Sequence, residues 1–265
     1  MTRLIGFAAA LLIPAAAVAQ DWAKTRLEKS PRHLEYVKVE RDGRAVNCFV
    51  AYPEVKEKAP AVVVIHEIFG LADWPKLLAD ELAEAGYIAI APDLLSGMGP
   101  GGGGTESLQG RDAVTRAVRD LPQKQVAADL DAVVEYVAKL PACSGKIAVC
   151  GFCWGGGQAF SYATHNKGIK AAFVFYGGGP TDEAAVRRIA APVYGFYGGN
   201  DARVNATIPR SEVLMKAAGK AYEPVIYEGA GHGFMRGGEA LDARPGDQKG
   251  RDQAWRRWKE LLKNL

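Results

Sequence analysis

The chain carries a cysteine in a setting that can be read as two kinds of chemistry. In "VCGFCWGGGQ", residues 149–158, Cys150-Gly151-Phe152-Cys153 is a C-x-x-C dithiol, the pattern of thiol–disulfide exchange. The overlapping Gly151-Phe152-Cys153-Trp154-Gly155 is G-x-C-x-G, a nucleophile elbow with sulfur in the place of oxygen. The flanking glycines favour the elbow. A nucleophile on a sharp strand-to-helix turn leaves no room for side chains two residues to either side, and Gly151 and Gly155 stand there. Gly156 and Gly157 cost helix propensity that a redox site has no reason to bear. Cys150 ends the apolar run "IAVC" and is expected to point into the core as a small hydrophobe.

An elbow nucleophile needs an acid and then a histidine, in that chain order. The chain has four histidines. His33 precedes the sheet, His165 ends a helical stretch, and His66 follows the first buried strand. His232, in "YEGAGHGFMR", falls in a loop after the last strand, where the base belongs. Asp201, in "VYGFYGGNDARV", follows the preceding strand. Its competitor Asp182 reads as a helix cap. Cys153, Asp201 and His232 therefore form the candidate triad. His66-Glu67 resembles the start of a zinc H-E-x-x-H motif, but Gly70 stands where the second histidine would be, so no metal or other cofactor is expected.

The elements needed to hold these residues are legible as well. "LEYVKVE" and "RAVNCFVAY" flank Arg41-Asp42-Gly43 as a hairpin. "AVVVI", "YIAIA", "KIAVC", "KAAFVFY", "VYGFY" and "EPVIYE" follow as strands, the first of them a continuous apolar run suited to burial on both faces. Helical stretches separate them, including Leu77, Leu78, Leu82 and Ala85 closed by Gly86, and Val126 through Leu140 at spacings of three and four. A hairpin followed by repeated β-α units predicts a mostly parallel sheet with helices on both faces. Asp21 to Arg32 reads as a polar leader, and "SGMGPGGGG" as a surface loop near the site rather than a phosphate loop.

The chain has 265 residues, 48% of them apolar and 24% charged, with a formal charge of +3 and no block of like charges, so nucleic acid is not an expected partner. Arg3, the run "LIGFAAALLIPAAAV" and Ala17-Val18-Ala19 predict a secretory signal over residues 1–19, cleaved near Ala19. Residues 20–265 then form a single domain, a monomer, periplasmic or secreted, with no stable membrane span. The disulfide status of Cys48 and Cys143 stays open at this level.

The segments "HEIFGL", "APDLL", "GFCWGGG", "GGNDARV" and "GAGHGFMR", in that order from about Val37 to the C-terminus, resemble the dienelactone hydrolase family of α/β-hydrolases. The resemblance implies the α/β-hydrolase fold and a Cys-His-Asp triad at Cys153, His232 and Asp201. It implies cleavage of a small ester or lactone through an acyl-thioester. It also implies that Glu67 contacts the resting thiol and helps generate the thiolate. In this fold the oxyanion donors are the backbone N–H groups of Ile68 and Trp154. Arg236 matches a family position that contacts a substrate carboxylate; a second family arginine falls among Arg111, Arg116 and Arg119. The readings in other classes are a thiol–disulfide oxidoreductase using Cys150 and Cys153 and, within hydrolases, a broad esterase or organophosphate hydrolase.

Overall fold

The computed structural model describes residues 21–265; the leader expected over residues 1–19 lies outside them. The chain opens with helix α1 (Asp21–Glu28) and the hairpin of β1 (Leu34–Arg41) and β2 (Arg44–Ala51). Asp42 and Gly43 turn it with φ of 51° and 77°, the left-handed pair that matches the twist of a two-residue hairpin. There follow β3 (Ala59–Ile65), α2 (Asp73–Glu84), β4 (Ile88–Pro92), α3 (Arg111–Asp120), α4 (Gln123–Ala138), β5 (Cys143–Phe152) and α5 (Trp154–His165). The second half runs β6 (Ala171–Phe175), α6 (Glu183–Arg187), β7 (Val193–Gly198), α7 (Ala202–Asn205), α8 (Ile208–Ala217), β8 (Tyr222–Tyr227), α9 (Phe234–Gly237) and α10 (Pro245–Leu262).

The strands form one sheet in the order β1-β2-β4-β3-β5-β6-β7-β8. β1 pairs with β2, and β2 with β4, antiparallel; all pairs from β4 to β8 are parallel. Successive side chains of a strand point to opposite faces, and here both faces are buried. Val63, Ile65, Val149 and Val174 meet α4 and α5 on one side. Val62, Val64, Cys150, Phe173 and Phe175 meet α2 and α10 on the other. There Phe152, Phe175 and Phe196 stack at 4.5 and 4.3 Å between ring centres, with Trp258 edge-on to Phe175 at 4.8 Å. Phe152 of this pile is the residue immediately before Cys153.

Two helices depart from the sequence reading. α1 forms in the stretch read as a polar leader because Ala23 is buried and Trp22 and Leu27 pack against the core. Its Arg26 reaches Glu81 at 2.7 Å, joining a network in which Arg251 bridges Glu81 and Glu239 at 3.0 and 2.9 Å and Trp74 donates to Glu239 at 3.0 Å. α3 buries only Val114 and Val118, so its apolar stripe is too thin to stand out. The glycine-rich loop is anchored at its end: Thr105 donates through N–H and hydroxyl to Asp93, each at 2.7 Å, and accepts from Leu71 at 3.0 Å.

Candidate active site

β5 ends at Phe152 and α5 begins at Trp154, leaving Cys153 alone in the turn with φ 55° and ψ −115°. A positive φ on a residue with a side chain is strained and persists only when its surroundings hold it. They do so here through Cys153 N–H to Phe175 O at 3.0 Å and Gly157 N–H to Cys153 O at 3.2 Å. A Cβ on Gly151 would overlap the carbonyl of Gly155, and one on Gly155 would overlap the carbonyls of Ile65 and His66. Both positions therefore require glycine for close backbone approach. Cys150 is fully buried on the α2/α10 face, and all four cysteines are free thiols.

The structure brings the three residues of the candidate triad together. Asp201 follows β7 and caps α7, accepting from Val204 N–H at 3.3 Å. His232 sits between β8 and α9 in a loop held by Asn200 N–H to Ala230 O at 2.8 Å and Gly231 N–H to Asp247 at 2.7 Å. His232 Nδ1 meets Asp201 Oδ2 at 2.5 Å and Nε2 meets Cys153 Sγ at 3.1 Å. A carboxylate only accepts, so Nδ1 carries the proton and Nε2 is left to accept from the thiol. The Tyr176 ring stands edge-on to the imidazole at 5.2 Å.

The thiol pKa is raised, first by burial and then by the negative charge of Glu67. The backbone N–H groups of Trp154 and Ile68 and the charge of Arg203 act in the opposite direction. A helix N-terminus and a histidine neighbour would lower a thiol pKa on their own; here burial outweighs them.

Glu67 is buried, and its carboxylate is bonded to Arg236 in place of the thiol contact that the resemblance implies. Arg236 Nε donates to Oε2 at 2.8 Å, and Tyr176 O–H donates to Oε1 at 3.5 Å. The Arg236 guanidinium also lies 5.4 Å from the centre of the Phe69 ring. Arg111 covers the same ring at 4.2 Å, while Arg119 lines the cleft that opens on Cys153; Arg116 makes neither contact. That cleft, of about 630 Å³, is also lined by Ile68, Trp154, Gln158, Tyr176 and Arg203.

The other histidines lie apart from this chemistry. His66 is buried, donates Nδ1–H to Glu67 O at 2.7 Å and stacks on Trp154 at 5.5 Å; burial lowers its pKa and keeps it neutral. His165 pairs with Asp131 at 2.7 Å, and His33 lies 3.7 Å from Glu35. Asp182 caps α6 by accepting from Ala184 N–H at 2.9 Å. Tyr176 and Arg203 also line the cleft, although neither belongs to a catalytic motif in the sequence. Tyr176 ends the strand pattern "KAAFVFY" with φ 40°, and Arg203 lies two residues beyond Asp201. Their places at strand ends were the available signal.

A mostly parallel sheet with a strained cysteine elbow, and with acid and histidine on later strand-end loops, is the architecture of an α/β-hydrolase. The model of the dienelactone hydrolase family matches residues 46–265, and the chain belongs to that family. It is 35% identical over 211 residues to a candidate carboxymethylenebutenolidase from Methylorubrum extorquens, covering 75% of this chain and 71% of that one. A candidate dienelactone hydrolase from Klebsiella pneumoniae superposes with a TM-score of 0.77 at 27% identity, covering 88% of this chain and 99% of that one. A dienelactone hydrolase-like promiscuous phosphotriesterase from metagenomic libraries shares the fold, with a TM-score of 0.73 at 21% identity and coverage of 88% and 98%. The protein is a hydrolase of this family.

Proposed function

We propose that the protein is an exported cysteine hydrolase that opens a small ester or lactone through an acyl-thioester on Cys153. The observation that carries this reading is the continuous chain Asp201–His232–Cys153, at 2.5 and 3.1 Å, ending beside two backbone donors. As sulfur attacks the carbonyl carbon, His232 Nε2 takes the thiol proton and Asp201 stabilises the imidazolium. The oxyanion that forms accepts from the N–H groups of Ile68 and Trp154. Collapse expels the alkoxide, which takes the proton back from Nε2. Water, activated by the same nitrogen, then cleaves the thioester, releases the acid and restores the thiol.

Glu67 and Arg236 act as one unit. The raised thiol pKa keeps the resting sulfur protonated, which protects it from oxidation. A substrate carboxylate competes with Glu67 for the Arg236 guanidinium and frees Glu67 to approach the sulfur and assist its deprotonation. Carboxymethylenebutenolidase is the description that the Methylorubrum relative carries, which supports a carboxylated lactone as substrate. The dithiol reading is disfavoured because Cys150 is fully buried beneath the turn.

The test is a screen of purified protein against small lactones and aryl esters, with mass spectrometry of the quenched reaction. An acyl adduct on the peptide containing Cys153, absent in Cys153→Ala, is expected. Turnover without any such adduct, undiminished in Cys153→Ala, would overturn the mechanism. N-terminal sequencing of exported protein should begin at Gln20; retention of Met1 on exported protein would overturn the leader assignment.

A further inference from the structure

The Ile68 N–H that faces Cys153 belongs to the peptide joining Glu67 to Ile68, and the carbonyl of that same peptide is held from the other side by His66. A peptide is planar, and none among the described residues is cis, so its C=O and N–H point in opposite directions. Fixing the carbonyl therefore fixes the aim of the donor. The carbonyl accepts from His66 Nδ1–H at 2.7 Å and, at greater length, from the turn N–H of Gly70 at 3.2 Å. A second contact ties the imidazole to the other donor residue: its ring stacks on the Trp154 indole at 5.5 Å, with 15° between the planes. The His66 main chain is equally fixed, since its carbonyl lies where a Cβ on Gly155 would go.

His66 touches no reacting atom. Its Nε2 is buried without a hydrogen-bond partner among the described residues, and an unpaired buried acceptor costs stability, so the ring is not explained by packing alone. We infer that His66 is a positioning residue for the oxyanion hole: its Nδ1–H holds the Glu67–Ile68 peptide with the Ile68 N–H aimed at the developing oxyanion, and its ring steadies Trp154 at the other donor. Hydrogen bonds in series polarise one another in a low-dielectric interior, so the same bond makes Ile68 N–H the stronger donor. It also separates two tasks of Glu67. The carboxylate leaves Arg236 and approaches the sulfur in the proposed cycle, and a main chain pinned by His66 lets it do so without displacing the neighbouring oxyanion donor. The inference rests on the acyl-thioester reading, with Ile68 N–H as an oxyanion donor.

The test is a set of substitutions that should order activity and stability oppositely. His66→Phe keeps a ring against Trp154 but has no donor; it also removes the unpaired Nε2, so the melting temperature should change little. His66→Asn keeps an amide N–H where Nδ1 stands and gives up the ring, so it should melt lower. With 4-nitrophenyl acetate, kcat should fall about ten- to a hundred-fold in His66→Phe, less than the loss of a whole oxyanion donor would cause. Acylation and deacylation both form an oxyanion in the same place, so KM should move much less than kcat. His66→Asn should recover most of kcat despite its lower melting temperature. Should the phenyl ring not be accommodated, His66→Leu makes the same comparison. Full kcat in the variants without a donor, or losses of kcat that simply follow the melting temperatures, would overturn the inference. Failure of the underlying mechanism looks different: Cys153→Ala would then hydrolyse the ester undiminished.

Discussion

Glu67 and Arg236 lie 169 positions apart in the chain and meet at 2.8 Å, beside the thiol of Cys153. The carboxylate is nearly inaccessible and the guanidinium about a quarter exposed, with side-chain exposures of 4% and 28%. Removing one partner of such a pair strands the other charge out of water, which costs about 3–5 kcal/mol where burial is complete. Arg236→Met should therefore lower the melting temperature, and Glu67→Gln in the same chain should restore much of the loss. The double-mutant cycle in thermal unfolding checks this; additive losses would show that the two charges do not act together. On activity, Arg236→Met should reduce kcat/KM for carboxylated lactones about ten- to a hundred-fold, with a much smaller effect on neutral aryl esters.

The two cysteines of the C-x-x-C pattern should separate cleanly. Cys153→Ala should abolish hydrolysis, while Cys150→Ala should retain most of it and lose about 1 kcal/mol of stability from the small cavity it leaves. Non-reducing peptide mapping of active enzyme should find no link between the two, because one side chain is in the core and the other on the turn. A 150–153 disulfide in fully active protein would contradict this geometry.

The ionisation of Cys153 can be followed by its rate of alkylation with iodoacetamide against pH. Burial and Glu67 both favour the neutral thiol, so the midpoint should lie above that of a free thiol. Glu67→Gln removes a negative charge and should move the midpoint down. Arg203→Met removes a positive one and should move it up. A midpoint that rises in Glu67→Gln would mean that Glu67 favours the thiolate in the resting enzyme.

A second pH effect concerns stability rather than chemistry. Within the network that ties α1 to α2 and α10, the pKa of Glu81 is pushed up to about 8, chiefly by burial and further by its neighbour Glu239. A carboxyl whose folded pKa exceeds its unfolded value contributes its full stability below the ordinary carboxylate range and loses it as pH rises toward about 8. Thermal unfolding should show stability falling from about pH 5 to pH 9, and Glu81→Gln, which mimics the protonated acid, should flatten that slope. An equally steep slope in the variant would remove Glu81 as its source.

How much of this was readable beforehand follows from how local each feature is. The buried strands are apolar runs, the elbow announces itself by Gly151 and Gly155, and the order Cys153, Asp201, His232 needs only the count of strands. The exchange of partners by Glu67 is not local, since it depends on where α9, which follows β8, folds back over the loop after β3. The direction of the Cys153 pKa was hidden for a related reason: desolvation sums over every neighbour, and no motif encodes it. α1 and α3 escaped because each offers only two or three apolar residues to the core.

The elbow and its surroundings divide the site into a half that can vary and a half that cannot. Around Cys153, main-chain atoms of Gly151, Gly155, Ile65 and His66 fill the space where side chains would go, so random libraries at the two glycines should return only glycine. Arg119, Gln158 and Arg203 belong to helices, and it is their side chains that line the open cleft. Directed evolution toward new acyl groups has its accessible positions there, and descent within the family could have altered substrate range by the same three positions while leaving the bond-breaking apparatus untouched.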